Sequence, residues 1–204
     1  MNKKYHGKVI LFGEYSMIFG SEALLIPYDS VFGEWSSVIN RPSDRGFDLN
    51  KKLFEFFDYL RKDDKFRILD LRRFEMELNA GLFFDCNIPL GYGVGSSGAL
   101  VAAVYDRFKL IEIEDTLKLK SFLASMENYF HGSSSGIDPL QCYFGKPFVL
   151  SQKITDNGQQ SSFTILDNDF ISDDIHIFLL DTNIKSPTGP LVEHFKERRQ
   201  DEKY

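Results

Sequence analysis

The sequence predicts an α+β fold, in which strands come first along the chain and helices cluster after them. Short apolar runs bounded by glycine or proline occupy residues 8–12 and 23–26 and are typical of buried strands. Residues 96–110 are alanine-rich and open with two serines, and residues 115–130 and 137–143 also favour helices. Because strands and helices are grouped along the chain, the pattern favours α+β over an alternating parallel sheet.

The first strands are followed by one predicted surface helix. The run at 23–26 is expected to end at Pro27, and a further strand is expected over residues 31–39, where apolar residues stand among serines. Residues 49–61 carry leucines and phenylalanines at helical spacing with charged residues between them. This spacing predicts a helix with one buried face.

An alternating pattern follows this helix. Phe74, Met76 and Leu78 alternate with polar residues, which predicts a strand with one exposed face. Residues 82–88 are expected to continue the sheet.

The last third of the chain predicts a hairpin and a strand–helix unit. Strands are expected at 147–150 and 163–166, joined by the polar, glycine-containing segment 155–162. A strand at 175–180 and a mixed-charge helix at 190–203 complete the predicted elements.

Composition excludes several classes of protein. The 204 residues are 43% hydrophobic and 15% aromatic, which suffices for one large domain or for one domain with part of a second. The net charge of −6, with both signs interspersed, disfavours a nucleic-acid partner. Cys86 and Cys142 lie far apart and form no CxxC pair, which disfavours a disulfide framework and a zinc site. With no signal peptide and no apolar run of membrane-spanning length, we expect a cytoplasmic protein without a membrane partner.

The most informative segment is the glycine-rich stretch 89–99, which precedes a predicted helix. Alternate glycines let a backbone approach a ligand closely, and a helix start presents free amides, so the segment predicts an anion-binding site. The candidate ligand-binding residues are Gly91, Gly93, Gly95, Ser96, Ser97 and Gly98. No lysine follows the last glycine, so the segment is not the common phosphate loop. Its last three glycines match the dinucleotide fingerprint, but a proline-containing loop precedes them and a second helix follows. A dinucleotide-binding oxidoreductase and a plain helix cap stay open at this point.

Two further segments carry charged residues that suit phosphate chemistry. Glu127 and Asp138 flank a serine-rich and glycine-rich turn. Magnesium bound with a nucleotide usually takes one or two protein carboxylates, so these two acids are candidates for that chemistry. Lys8 and Glu14 flank the apolar run near the N-terminus. Each residue by itself is also typical of a solvated surface.

In their order along the chain, residues 7–14, 89–99 and 131–138 resemble the three matching segments of the GHMP kinases, most closely those of mevalonate kinases. The resemblance extends from about residue 5 to residue 192. It implies a fold like domain 2 of ribosomal protein S5 for an N-terminal domain at 1–170. It also implies that residues 171–204 are the first strand–helix unit of an incomplete, ferredoxin-like C-terminal domain.

The activity that the resemblance implies is transfer of the γ-phosphoryl group of ATP, with Mg²⁺, to a hydroxyl of a small molecule. The glycine–serine loop would bind the phosphates. The resemblance assigns Asp138 and Lys8 as catalytic, Ser97 and Glu127 as metal ligands, and Glu14, Tyr15 and His131 as substrate-binding residues.

Several alternatives stay open. Mevalonate is the leading acceptor, but Tyr15 stands where mevalonate kinases usually have a histidine, so phosphomevalonate or a sugar are also candidates. A non-catalytic nucleotide-binding protein is the alternative from another class. Under either reading, a homodimer is one assembly open to the chain. Because family members continue for about another hundred residues, a length typical of one more domain, we expect either a fragment or a degenerate relative. The 204 residues alone are expected to have little or no kinase activity.

Overall fold

The computed structural model describes residues 2–39, 44–155, 158–167, 174, 178–180 and 188–198. Within them, five antiparallel strands form one sheet: β1 Tyr5–Phe12, β2 Ala23–Ser37, β3 Leu82–Cys86, β4 Phe148–Thr155 and β5 Gly158–Ile165. The helices are α1 Asp44–Leu60, α2 Leu71–Asn79, α3 Ser96–Phe108, α4 Thr116–His131, α5 Ile137–Phe144 and α6 Thr188–Arg198. One antiparallel sheet, with the consecutive helices α3, α4 and α5 between β3 and β4 along the chain, confirms the predicted α+β class.

The sheet runs in the order β1-β2-β4-β5, and β3 also pairs with β2. Strand β2 does not end at Pro27 as the sequence predicted, and the two strands expected around it are one. The reason lies in its neighbours: β4 pairs with residues 23–25 of β2 and β3 pairs with residues 33–37, while Pro27 lies between the two pairings opposite Lys8 of β1. A proline is tolerated in a strand where one side of the strand forms no backbone hydrogen bonds to a neighbour. Among the described strands, Pro27 meets this condition because β3 and β4 pair with other residues of β2.

Helix α2 replaces the strand that the sequence predicted around Phe74, Met76 and Leu78. Phe74 and Leu78 are 0% and 1% exposed, whereas Met76 is 64% exposed, so the first two share a buried face at a spacing of four residues. The Asp70 side chain accepts a hydrogen bond from the Arg73 amide at 2.9 Å and caps the helix. The prediction of a strand here was wrong.

Most of the other predicted elements are present with shifted ends. Helices α3, α4 and α5 begin and end within two residues of their predicted bounds, and α1 begins five residues before its predicted start. The β4–β5 strands extend into the segment predicted as their connection, and residues 156–157 between them lie outside the described part. Residues 175–177 of the strand predicted at 175–180 also lie outside the described part, and the exposed residues 178–180 form no strand.

Helix α3 forms the centre of the core and packs on α4, α5 and β1. Gly98 allows the close approach of α5, because a Cβ at this position would lie 2.8 Å from the carbonyl carbon of Asp138. Two elements that carry candidate site residues are therefore packed backbone to backbone. Within the described chain, no helix is long and apolar enough to cross a membrane.

Candidate active site

The glycine-rich loop ends against β1 and leads directly into α3. Gly91, Gly93 and Gly95 have φ angles of 82°, 68° and 86°, a left-handed region that favours glycine. A Cβ at Gly95 would also lie 3.1 Å from Cγ of Lys8. The Lys8 amide donates a hydrogen bond to the Val94 carbonyl at 3.0 Å, which fixes the loop against β1.

The N-terminus of α3 follows from this loop. Gly95 is the N-cap residue and supplies no side-chain cap, so the first amides of α3 are left without the side-chain acceptor that most caps provide. Ser96 and Ser97 are half-buried in the first turn. Unpaired amides and the positive end of a helix of 13 residues suit an anion such as a phosphate group.

Lys8 and Asp138 form an ion pair beside this loop. Lys8 Nζ lies 2.9 Å from Asp138 Oδ1, and the two side chains are 7% and 33% exposed. Lys8 comes from β1 and Asp138 from the first turn of α5, so tertiary packing brings them together. Asp138 offsets the cost of burying the ammonium group. Its carboxylate remains accessible to a small molecule.

Glu127 forms a second charged centre with hydroxyl partners. This glutamate is 4% exposed and lies in the last turns of α4. Ser97 Oγ donates to its Oε1 at 2.8 Å, and Ser134 Oγ donates to its Oε2 at 2.5 Å. Burial raises the pKa of Glu127, and the nearby charge of Asp138 raises it further, against the hydrogen bonds from Ser134 and Ser97.

His131 contacts Ser97 on the other side. Its Nε2 lies 2.9 Å from Ser97 Oγ, so the structure places this histidine beside the predicted metal ligands. Because the Ser97 hydroxyl donates its proton to Glu127, Nε2 in the neutral ring is the donor in this contact. The sequence resemblance assigned His131 to substrate binding, and that role stays a prediction.

Glu14 and Tyr15 lie in the turn after β1. Glu14 is exposed, and the Tyr15 ring stacks on Phe195 of α6 with 5.3 Å between ring centroids. Burial and the neighbouring Glu14 carboxylate raise the pKa of the Tyr15 hydroxyl. The contacts of the described residues do not join either side chain to the Lys8–Asp138 pair, so their substrate-binding role also stays a prediction.

Ser134 is the residue of this centre that sequence reasoning missed. It stands in a run of three serines, and nothing in that run distinguishes it from Ser133 or Ser135. The only available signal was its position seven residues after Glu127, across the turn that ends α4.

The residues around Ser97 suit a hard divalent cation. Carboxylate and hydroxyl oxygens are ligands that Mg²⁺ accepts, and Glu127 and Ser97 present one of each within 2.8 Å of one another. Among the described residues, no lysine or arginine lies within salt-bridge distance of Glu127, so no side-chain ammonium or guanidinium group already pairs with its charge. No cluster of three or more His, Cys, Asp or Glu side chains suited to a metal occurs in the described part. One carboxylate and one hydroxyl suit a cation that phosphate oxygens also bind.

Comparison with known proteins identifies relatives of this chain. Residues 54–146 match the family described as GHMP kinases N terminal domain. A mevalonate kinase of Archaeoglobus fulgidus is 30% identical over 153 residues, which cover 72% of this chain and 51% of that protein. The chain therefore spans about half the length of this curated relative.

A solved structure confirms the predicted fold. The crystal structure of L. major mevalonate kinase in complex with R-mevalonate superposes with a TM-score of 0.54 at 16% identity, and it covers 99% of this chain and 63% of that one. At this identity the likeness concerns the fold.

Proposed function

We propose that this chain, which belongs to the GHMP kinase superfamily, serves to transfer the γ-phosphoryl group of ATP to a hydroxyl of a small molecule, with mevalonate as the leading acceptor. The observation that carries the proposal is the ion pair between the buried Lys8 and the accessible Asp138, 2.9 Å apart, beside the N-terminus of α3. Binding of a nucleotide alone does not require such a pair. Its presence therefore favours a kinase over a non-catalytic nucleotide-binding protein.

Asp138 is the proposed group that orients the acceptor hydroxyl and accepts its proton. Its Oδ1 faces the Lys8 ammonium, and one third of the side chain is exposed. Lys8 stabilises negative charge on this carboxylate and on the oxygen that attacks phosphorus. Phosphoryl transfer depends mainly on positioning and charge stabilisation, which are the two contributions that this pair supplies.

The loop before α3 is the proposed site for the triphosphate. The amides at the start of α3 would donate to phosphate oxygens, and the helix dipole favours their negative charge. Gly93 supports close approach of a ligand, because a Cβ there would meet no atom within 4 Å and the surrounding space is open. Gly98, in contrast, is buried against α5, so its proposed contribution is to packing of the site.

Ser97 and Glu127 are the proposed ligands for Mg²⁺. When bound, Mg²⁺ neutralises charge on the transferred phosphoryl group. Glu127 contributes a buried carboxylate, and Ser97 contributes a hydroxyl from the first turn of α3, next to the proposed phosphate site.

The identity of the acceptor has a specific second candidate. The curated relative is named a mevalonate kinase, which favours mevalonate. Tyr15 favours phosphomevalonate instead, because Gly-Glu-Tyr at this position resembles phosphomevalonate kinases more closely. A sugar is the third acceptor that the superfamily resemblance leaves open.

The test measures ADP formation by the full-length protein with mevalonate, phosphomevalonate and galactose as acceptors. The Asp138→Asn variant should lower kcat by about 10²- to 10⁴-fold, the contribution of a general base. Its affinity for AMPPNP, a non-hydrolysable ATP analogue, should stay within about twofold of the unaltered protein, since Asp138 is not a proposed nucleotide ligand.

Asp64→Asn serves as the control, because Asp64 is an acid whose side chain is 80% exposed. Retention of most of the activity by Asp138→Asn would exclude Asp138 as the base. Nucleotide binding without turnover of any acceptor would favour the non-catalytic alternative.

A further inference from the structure

The hydroxyl of Ser134 joins two parts of the candidate site. It donates to Glu127 Oε2 at 2.5 Å and accepts a hydrogen bond from the Gly136 amide at 2.9 Å. Glu127 belongs to α4, whereas Gly136 is the N-cap residue of α5. Ser134 occupies a position within residues 131–138 that the resemblance to GHMP kinases leaves unspecified. The contacts of Ser134 with the candidate site are therefore seen in the structure and not in the motifs.

We propose that Ser134 is a positioning residue that holds the Glu127 carboxylate in the orientation required to bind a divalent cation and couples it to the helix that carries Asp138. The proposal rests on the proposed function, because it concerns the same metal site. It adds a residue and a connection that neither the motifs nor the comparisons assign.

The first argument concerns the orientation of the carboxylate. Ser134 occupies Oε2, while Oε1 faces Ser97. Rotation of the carboxylate group would break both hydrogen bonds, so the two hydroxyls together select one orientation. With Oε2 held by Ser134, Oε1 and Ser97 Oγ are the two oxygens that would hold a shared cation. A carboxylate ligand held by an outer hydrogen bond binds metal more tightly than a free one.

The second argument concerns the backbone to which Ser134 is attached. Gly136 has a φ of 74°, and a Cβ there would lie 2.2 Å from the carbonyl oxygen of Lys120 in α4. The amide that donates to Ser134 is therefore part of a tightly packed junction between α4 and α5. Asp138 follows two residues later in the first turn of α5. The turn that carries Ser134 therefore contacts the Glu127 carboxylate and leads into the helix that carries the proposed base.

The neighbouring serines supply matched controls. Ser133 is exposed, and Ser135 accepts a hydrogen bond from the Ile137 amide at 3.3 Å. Neither hydroxyl contacts Glu127. Ser133→Ala therefore removes the same group from the same turn without altering the carboxylate.

The test compares AMPPNP affinity with and without Mg²⁺, measured by isothermal titration calorimetry on the full-length protein. Ser134→Ala should lower the Mg²⁺-dependent gain in affinity by about 10- to 100-fold, the usual effect of losing an outer hydrogen bond to a metal ligand. Affinity in EDTA should stay within about twofold, because the phosphate loop does not contact Ser134. Ser134→Thr, which keeps the hydroxyl, should restore most of the gain, and Ser133→Ala should leave it unchanged.

Three results would overturn the inference, and they separate it from the proposed function. Equal losses with and without Mg²⁺ would show that Ser134 has only a structural role. No loss in Ser134→Ala, combined with loss of the Mg²⁺ effect in Glu127→Gln, would refute the role of Ser134 and leave the proposed function intact. Failure of the unaltered protein to bind AMPPNP with Mg²⁺ would refute both.

Discussion

Two carboxylates lie near opposite ends of α3, and their surroundings differ: Glu127 is buried, whereas the Asp106 side chain is 19% exposed. Glu127 contacts Ser97 in the first turn of α3 and receives hydrogen bonds only from hydroxyls among the described residues. Asp106 lies in the last turn and receives Lys3 Nζ at 2.6 Å and Lys109 Nζ at 3.1 Å. Burial raises the pKa of both groups, but at Asp106 the hydrogen bond from Lys3 and the other lowering contacts outweigh it and hold the pKa below its usual range.

The difference separates a structural carboxylate from a carboxylate suited to a ligand. Two lysines neutralise the charge of Asp106, and the Tyr5 hydroxyl donates a hydrogen bond to it. This network links β1 to α3. At Glu127 the carboxylate is buried without an ammonium or guanidinium partner among the described residues. A buried charge that lacks such a partner attracts a mobile cation, because binding the cation removes most of the cost of burial. A carboxylate therefore stabilises the fold at one end of α3, whereas at the other end a carboxylate is left suited to a cation.

Removal of the charge at Glu127 should have the largest effect on function. Glu127→Gln should lower Mg²⁺-dependent AMPPNP affinity by at least about 100-fold, since loss of a ligand exceeds the loss of an outer hydrogen bond. The melting temperature should not fall, because the neutral amide is cheaper to bury. Calorimetry and thermal unfolding measure the two effects, with exposed Glu75→Gln as the control. A clear fall in melting temperature would show that Glu127, like Asp106, serves to stabilise the fold.

The same change at Asp106 should affect stability instead. Asp106→Asn should lower the free energy of unfolding by about 2 kcal/mol, because Lys3 and Lys109 would face each other without a carboxylate. AMPPNP affinity should not change. Urea unfolding followed by circular dichroism measures the loss. A loss below about 0.5 kcal/mol, the level typical of surface substitutions, would contradict the assignment of Asp106 as a structural residue.

A lysine placed beside Glu127 should give this carboxylate surroundings like those of Asp106. His131 lies four residues after Glu127 on α4, a spacing that favours a Glu–Lys pair. His131→Lys should therefore lower the Mg²⁺-dependent gain in AMPPNP affinity by about tenfold, because the ammonium group competes with the cation. His131→Gln controls for loss of the contact with Ser97. Unchanged Mg²⁺ dependence in the lysine variant would contradict the claim that Glu127 binds a cation because no lysine or arginine among the described residues pairs with it.

The contributions of Asp106 and Glu127 to stability should depend on pH with opposite signs. These should be the smallest of the predicted effects. The pKa of Asp106 is lowered by folding, so its contribution is present above its ordinary value of 3.8 and is lost as pH falls through the folded value. The pKa of Glu127 is raised, so its contribution is present below 4.5 and is lost as pH rises toward the folded value.

Urea unfolding between pH 3 and pH 7, without Mg²⁺, measures these two contributions. Relative to the unaltered protein, Glu127→Gln should gain stability as pH rises above 4.5, whereas Asp106→Asn should lose stability as pH rises above the folded pKa of Asp106. Each slope is limited to about 1.4 kcal/mol per pH unit for one proton. Shifts of the same sign in both variants would refute the comparison.

The local parts of this protein could be predicted from its amino-acid pattern. The order of its three motifs identified the superfamily, and the α+β class followed from grouping of strands and helices. The positions of α3, α4 and α5 followed from composition, spacing and caps such as Asp115, whose side chain accepts from the Lys118 amide at 2.9 Å. These features are readable because a glycine-rich turn, a cap and a helical face each depend on residues close together in sequence.

Features that depend on distant partners could not be predicted in this way and follow from the packing of the fold. The alternation of Phe74, Met76 and Leu78 favoured a strand, but Phe74 and Leu78 also fit one helix face, and their burial against the core selected the helix. Pro27 stays within β2 because of where β3 and β4 pair with that strand. Ser134 differs from its serine neighbours only through its contact with Glu127. In each case the deciding interaction joins residues whose separation in space is set by packing, and no local pattern carries that information.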